Sequence, residues 1–327
     1  MTQTEEMKTR NRTRTNKVRS IFLKVIGAIM IAIVLFLVIV YTVNLICNQS
    51  ELKRIEPYGQ HVSVDGKNMN VLIQGAGEET VVLLPGLGTA APVLDFKPLI
   101  EELSPFYKVV VVEPFGYGLS DLTEKERTTE NVVSEIHEAL QRLNIDRYIL
   151  MGHSIAGIYG LDYVNKYADE VSAFVGIDSS VPTLSEKVTS SQLEMVKWLK
   201  QSGLSRLAMK LGTDPLAALP YDDKTKEQMR MLMHKNMYNP NLLNEVEHMQ
   251  SNFKAAEGVS FPKNLPIIFF IQANHPVTDR WVPEHEEQVK NSVHGKVMRF
   301  EGGHYLHHTR SKEIVKNLKT YMEGIKH

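Results

Sequence analysis

Tyr148-Ile149-Leu150-Met151-Gly152-His153-Ser154-Ile155-Ala156-Gly157 is an apolar run that breaks at a glycine, passes a polar pair and continues into small residues. The run predicts a buried strand, and the spacing from residue 155 to 167 predicts a helix. A serine at such a strand-to-helix turn, two residues after glycine, sits on strained backbone. Its hydroxyl is lifted above the sheet, and the N–H groups that open the helix point at any anion formed there.

Outward from this turn the same alternation repeats. Apolar runs at 80–84, 108–112, 171–177, 267–271 and 296–300 predict further strands buried on both faces. Runs at 61–64 and 69–74, split by Asp65-Gly66, predict a hairpin. Helical patterns fall between them at 93–103, 129–143 and 314–322, which together mean an α/β sheet with right-handed crossovers. The alternation fails once, across residues 181–264, where helix-like segments such as 191–200 and 224–237 are rich in Met, Leu, Lys and Glu. More than eighty residues are too many for a bare loop, so this stretch is expected to be a helical insertion over the strand ends.

The 327 residues carry 37 Lys+Arg against 38 Asp+Glu, and the formal charge of -1 gives no general reason to expect a nucleic-acid partner. A 43% hydrophobic content excludes disorder throughout. The single cysteine, Cys47, excludes an internal disulfide or a thiolate metal cluster.

Charge is unevenly placed. Residues 1–24 hold seven basic and two acidic side chains, a local +5, so the other 303 residues sum to -6. Residues 25–41 then carry no charge, and the run extends to Cys47 with only Thr42 and Asn44 strongly polar. At ~1.5 Å per residue, 25–47 is long enough to cross a hydrocarbon core of ~30 Å. This favours an uncleaved transmembrane helix over a cleaved signal peptide, because the run is long and no small-x-small site closes it. The basic flank places the amino terminus in the cytoplasm and the rest of the chain outside, as a single-pass cell-membrane protein. Residues 48–59, ending in Pro57-Tyr58-Gly59, suit a linker; Asn48-Gln49-Ser50 matches a glycosylation sequon by letters.

The turn at Gly152-His153-Ser154-Ile155-Ala156 resembles the G-x-S-x-G nucleophile elbow of the α/β-hydrolase fold family, with alanine at the final glycine position. The resemblance implies a mostly parallel eight-stranded sheet flanked by helices, a core over residues 60–180 and 265–327, and a helical cap over 181–264. It implies Ser154 as nucleophile and, in Glu301-Gly302-Gly303-His304, His304 as general base. Leu84-Pro85-Gly86-Leu87-Gly88 is similar to the family's oxyanion loop, with Pro85 where histidine is frequent, and the N–H groups of Leu87 and Ile155 are the expected oxyanion donors. Glu113-Pro114-Phe115-Gly116-Tyr117-Gly118-Leu119-Ser120 is similar to another family loop and is expected to shape the pocket floor.

The orienting acid has two candidates, Asp178 after the sixth strand and Asp279 after the seventh; Asp178 is favoured because Gln272-Ala273-Asn274-His275 displaces the later aspartate. His307 and His308 are expected at a helix start or a rim, and no metal or cofactor is expected, since no acidic or thiolate ligand pattern accompanies them. Met195, Met209, Met229, Met231, Met233 and Met237 could line an apolar acyl pocket or simply pack in the cap.

The implied chemistry is hydrolysis of a hydrophobic, lipid-like carboxylic ester or lactone through an acyl-enzyme, with the bilayer as a further partner. An aminopeptidase or amidase of the same fold, and a non-catalytic receptor or scaffold, are the alternatives. Oligomeric state is left open by the sequence.

Overall fold

The apolar runs become the middle of a single sheet. In the computed structural model, which describes residues 3–184 and 188–325 with side chains from residue 16 onward, the strands are β1 (Gln60–Val64), β2 (Lys67–Gln74), β3 (Thr80–Leu84), β4 (Lys108–Glu113), β5 (Tyr148–His153), β6 (Val171–Ile177), β7 (Ile267–Gln272) and β8 (Gly295–Phe300). Their spatial order is β1-β2-β4-β3-β5-β6-β7-β8. Only the pairings of β2 with β1 and β4 are antiparallel. The β1–β2 hairpin turns at Asp65 and Gly66, both at positive φ (49° and 74°), the backbone that an Asp-Gly pair tolerates best.

The helices are α1 (Gln3–Leu52), α2 (Pro92–Asp95), α3 (Lys97–Leu103), α4 (Thr129–Arg142), α5 (Ala156–Lys166), α6 (Ser190–Ser202), α7 (Leu204–Leu211), α8 (Asp223–Asn236), α9 (Pro240–Ala256), α10 (Trp281–Val289), α11 (Leu306–Thr309) and α12 (Ser311–Ile325). The helix expected over 93–103 is split at Phe96, because Pro98 has no N–H to continue the ladder and crowds the preceding turn. α4 starts where the Thr128 side chain accepts from Asn131 N, and it buries Val132, Val133, Ile136, Ala139 and Leu140. In the insertion, Asp222 and Asn239 cap α8 and α9 in the same way.

The chain forms two compact units. The larger one comprises Glu51–Lys197 and Asp214–His327. Its inner strands, β3 to β7, are covered on both faces, and their alternate residues enter different cores. Val82, Leu84, Val110, Val112 and Leu150 pack with residues of α4, α5 and α9. Val81, Leu83, Val109, Val111, Ile149 and Met151 pack with those of α3 and α12. In the cap, Met229 packs with Leu216 and Tyr221 in a small core of its own, and Met195 is exposed.

The smaller unit comprises Met1–Ser50 and Trp198–Thr213. α1 is long and apolar enough to cross a membrane between Asn16 and Leu52, and its most apolar window is not buried against protein.

Candidate active site

Ser154 lies between β5 and α5 with φ 54°, left-handed backbone that a serine adopts only when its surroundings impose it. Three main-chain bonds hold it: Ser154 N donates to Ile177 O at 3.3 Å, and Ser154 O accepts from Gly157 N at 2.9 Å and from Ser180 N at 2.7 Å. Asp178, at the end of β6, repeats the device with φ 41° and its N–H donated to Phe270 O at 2.7 Å. Each of the two residues is thus pinned to the carboxyl end of the next strand.

Glycine is needed around the turn for space. A Cβ on Gly152 would lie 2.8 Å from Ala156 Cβ, so the absence of one makes room for the alanine that departs from G-x-S-x-G. A Cβ on Gly86 would lie 2.7 Å from His153 Nδ1 and 3.0 Å from Ser154 Cβ, so the loop after β3 touches the serine directly. Among the described residues, the N–H groups of Leu87 and Ile155 donate to no protein acceptor. Gly88 N reaches Tyr117 Oη at 3.4 Å, and that phenol donates to Glu245 Oε2 of α9 at 2.7 Å.

His304 follows β8, and its Nδ1 stands 2.7 Å from Asp178 Oδ2. The fully buried carboxylate also accepts from Gln272 N (2.9 Å), Gln272 Nε2 (3.0 Å) and Trp281 Nε1 (2.9 Å). Asp178 can only accept, so His304 carries its proton on Nδ1 and leaves Nε2 as the basic nitrogen. Asp279 is exposed in the loop before α10. Ser154 and His304 are tied through His153, whose Nε2 lies 3.1 Å from His304 O with the two rings 4.6 Å apart.

Sequence reasoning missed Gln272 and Trp281 as partners of the acid, along with His285, which spans from Trp281 O (2.7 Å) to Ser179 O (2.9 Å). A glutamine just past an apolar strand and a tryptophan with a single polar atom were the available signals.

His307 and His308 lie at a helix start, in α11, and are buried rather than on a rim. Their Nε2 atoms each lie 2.8 Å from a different oxygen of Asp95, at the end of α2. The acidic partner that the local sequence lacked therefore comes from more than two hundred residues away, and the three groups are close enough to hold a cation. Each histidine has a hydrogen-bond partner in Asp95, while His307 Nδ1 is buried without one. Burial works to raise the Asp95 carboxyl, but the hydrogen bonds and charges of His307 and His308 outweigh it and hold the group well below the usual carboxylate range. Burial pushes the His307 and His153 imidazoles below the ordinary histidine range. The loop carrying His304 is consequently clamped to α2 three and four residues downstream.

Glu113, buried at the end of β4, accepts from Tyr58 Oη, Asn70 Nδ2, Val93 N and Leu119 N. It joins the hairpin, the start of α2 and the 113–120 loop. Gly118, at φ 50°, lies so close to that carboxylate that any side chain there would overlap it.

A family model for the alpha/beta hydrolase fold matches residues 79–273. The Bacillus subtilis protein YbdG is 29% identical over 221 residues, 64% of this chain and 67% of that protein. The next curated relatives are matched over 35–38% of their own length. Among solved structures, the enol-lactonase from Burkholderia xenovorans superposes with a TM-score of 0.61 at 16% identity, covering 81% of this chain and all of that one. A bacterial membrane phospholipase A superposes with a TM-score of 0.60 at 14% identity, covering 94% of this chain and 99% of that one.

Proposed function

The chain belongs to the α/β-hydrolase fold family, and from that premise we propose that it is a membrane-anchored serine hydrolase cleaving a hydrophobic carboxylic ester or lactone. Membership of the family supports a hydrolase-type role. The finer reading is carried by one observation: a left-handed Ser154 set against Gly86, whose neighbour His153 meets His304, the histidine whose Nδ1 is held by buried Asp178.

In this reading Ser154 Oγ attacks the substrate carbonyl carbon while its proton passes to His304 Nε2. Asp178 stabilises the resulting imidazolium, and the Leu87 and Ile155 N–H groups receive the oxyanion. The carbonyl–oxygen bond to the leaving group breaks as His304 returns the proton to the departing alcohol, leaving an ester on Ser154. Water enters, loses a proton to His304, and releases the acid by the same steps in reverse. Serine at the elbow, rather than a carboxylate, disfavours an alkyl-enzyme route. The bonds named by two similar folds, an enol-lactone and a phospholipid ester, set the start of the substrate panel.

α1 would be the anchor, with the basic residues 8–24 cytoplasmic and the hydrolase unit outside. Protease added to intact cells would then remove the hydrolase unit while a tag at the amino terminus stays protected.

A fluorescent serine-reactive phosphonate tests the chemistry. Wild-type protein should be labelled and Ser154→Ala should not. Absence of labelling under conditions that label a control esterase would overturn the enzymatic reading. A panel of esters and lactones against amino-acid arylamides then decides the bond cleaved.

A further inference from the structure

Residues 198–213, taken from the middle of the cap insertion, form one unit with α1, and three contacts fix the level at which they meet it. Gly203, the αL residue between α6 and α7, lies so close to α1 that a Cβ there would be 2.6 Å from Asn44 Cβ and 3.1 Å from Val40 O. Arg206 donates from Nε to Asn44 Oδ1 (2.9 Å) and from Nη2 to Asn48 Oδ1 (2.5 Å). Asn44, a polar residue in an apolar run, is buried beneath this contact.

Val40 precedes Cys47, the end of the apolar run, by seven residues, or about 10 Å along the helix axis. A turn seated on Val40 and Asn44 is therefore level with the last turns of the span and below the water boundary. α7 has the composition for that place. Leu204, Leu207, Ala208 and Leu211 recur at i, i+3, i+4 and i+7 on one face, while Arg206 and Lys210 occupy the other. Leu211 is 78% exposed and Trp198 is 53% exposed, apolar surface that a bilayer boundary would cover.

We infer that Trp198–Thr213 lies in the headgroup–acyl boundary of a phospholipid bilayer, in the leaflet reached by the carboxyl end of α1. The leucine face of α7 contacts acyl chains, and Arg206 and Lys210 remain at headgroup level. Tryptophan at such a boundary is ordinary membrane chemistry. This inference rests on α1 crossing the membrane.

The chain has two tryptophans, and Trp281 is buried. The full chain is reconstituted in vesicles of phosphatidylethanolamine and phosphatidylglycerol, with or without lipids brominated near the glycerol end of the acyl chain. Bromolipid should reduce wild-type tryptophan emission and leave Trp198→Phe unchanged. In a Cys47→Ser background, an environment-sensitive dye on Leu211→Cys should shift to the blue on reconstitution, while the same dye on Ser134→Cys, exposed on α4, should not. If alkaline carbonate extracts the protein from the vesicles, α1 is not an anchor and the inference falls with it. If the protein resists extraction and either probe fails to respond, α1 stands and the placement of residues 198–213 is wrong.

Discussion

His304 Nδ1 and Asp178 Oδ2 are 2.7 Å apart, although 126 residues separate them in the chain. The pairing gives Asp178→Asn and Asp279→Asn opposite consequences. Asparagine tolerates the left-handed backbone of residue 178, so the fold should survive. Its amide would present a donor to His304 and favour the wrong tautomer, lowering kcat by about 10⁴-fold. Asp279→Asn, in an exposed loop, should leave ester hydrolysis intact. Rates on a p-nitrophenyl ester check both, and collapse of Asp279→Asn alone would reverse the assignment.

Gly86→Ala places a methyl group 2.7 Å from His153 Nδ1 and 3.0 Å from Ser154 Cβ, neither of them the free end of a flexible side chain. Overpacking of this kind costs about 1–3 kcal/mol. Because the displaced atoms belong to the proposed nucleophile and its neighbour, kcat/KM should fall roughly 10–100-fold while the protein stays folded by circular dichroism. Unchanged activity would show that the loop after β3 does not support the serine as described.

Tyr117 and Tyr159 both donate to Glu245, at 2.7 and 2.5 Å, but only Tyr117 also meets Gly88 N. Replacing either tyrosine by phenylalanine removes one donor from a buried carboxylate, at about 1–3 kcal/mol. Thermal melts should register similar losses. Only Tyr117→Phe should also slow turnover, because only it releases the backbone next to Leu87. Equal kinetics in the two variants would separate α9 from the oxyanion loop.

Acid should remove the contribution that two buried histidines make to stability. Burial depresses the folded-state pKa of His153 and His307, whereas in the unfolded chain each is near the ordinary value of about 6.5. Between those limits the unfolded chain binds the extra protons. The contribution of each histidine is therefore fully present above about pH 6.5 and is lost as pH falls towards the folded value. Melts between pH 7.5 and 5 should show the wild type losing Tm relative to His307→Gln, a comparison in which Glu113, Glu135 and Glu245, whose carboxyls burial raises, act equally on both chains. An unchanged difference between the two chains across this interval would contradict the depressed His307 pKa.

The sheet was legible because β3, β5 and β7 are continuous apolar runs that only a doubly covered strand explains. The strand-to-helix turn at Ser154 and the loop after β8 that carries His304 were legible because each is encoded in adjacent residues. Asp178 could be favoured over Asp279 but not fixed, since both follow strands whose ends converge and only three-dimensional register brings one to His304. The Asp95 clamp was invisible for the same reason, as its histidines and its carboxylate lie at opposite ends of the domain. The assignment of residues 198–213 to α1 rather than to the other cap helices was also hidden, because their Leu, Met and Lys content differs little from that of their neighbours.

The left-handed backbone at Ser154 makes this position a place where function and robustness select opposite residues. Glycine would relieve about 1 kcal/mol or more of conformational strain there and leave no hydroxyl. Ser154→Gly should therefore melt higher than the wild type, and selecting the chain for thermal resistance alone would tend to erase the hydroxyl proposed as nucleophile. The two main-chain bonds to Ile177 and Ser180 are what keep a less comfortable residue in place, so the neighbouring strand is as much a guardian of the proposed activity as the side chains assigned to it.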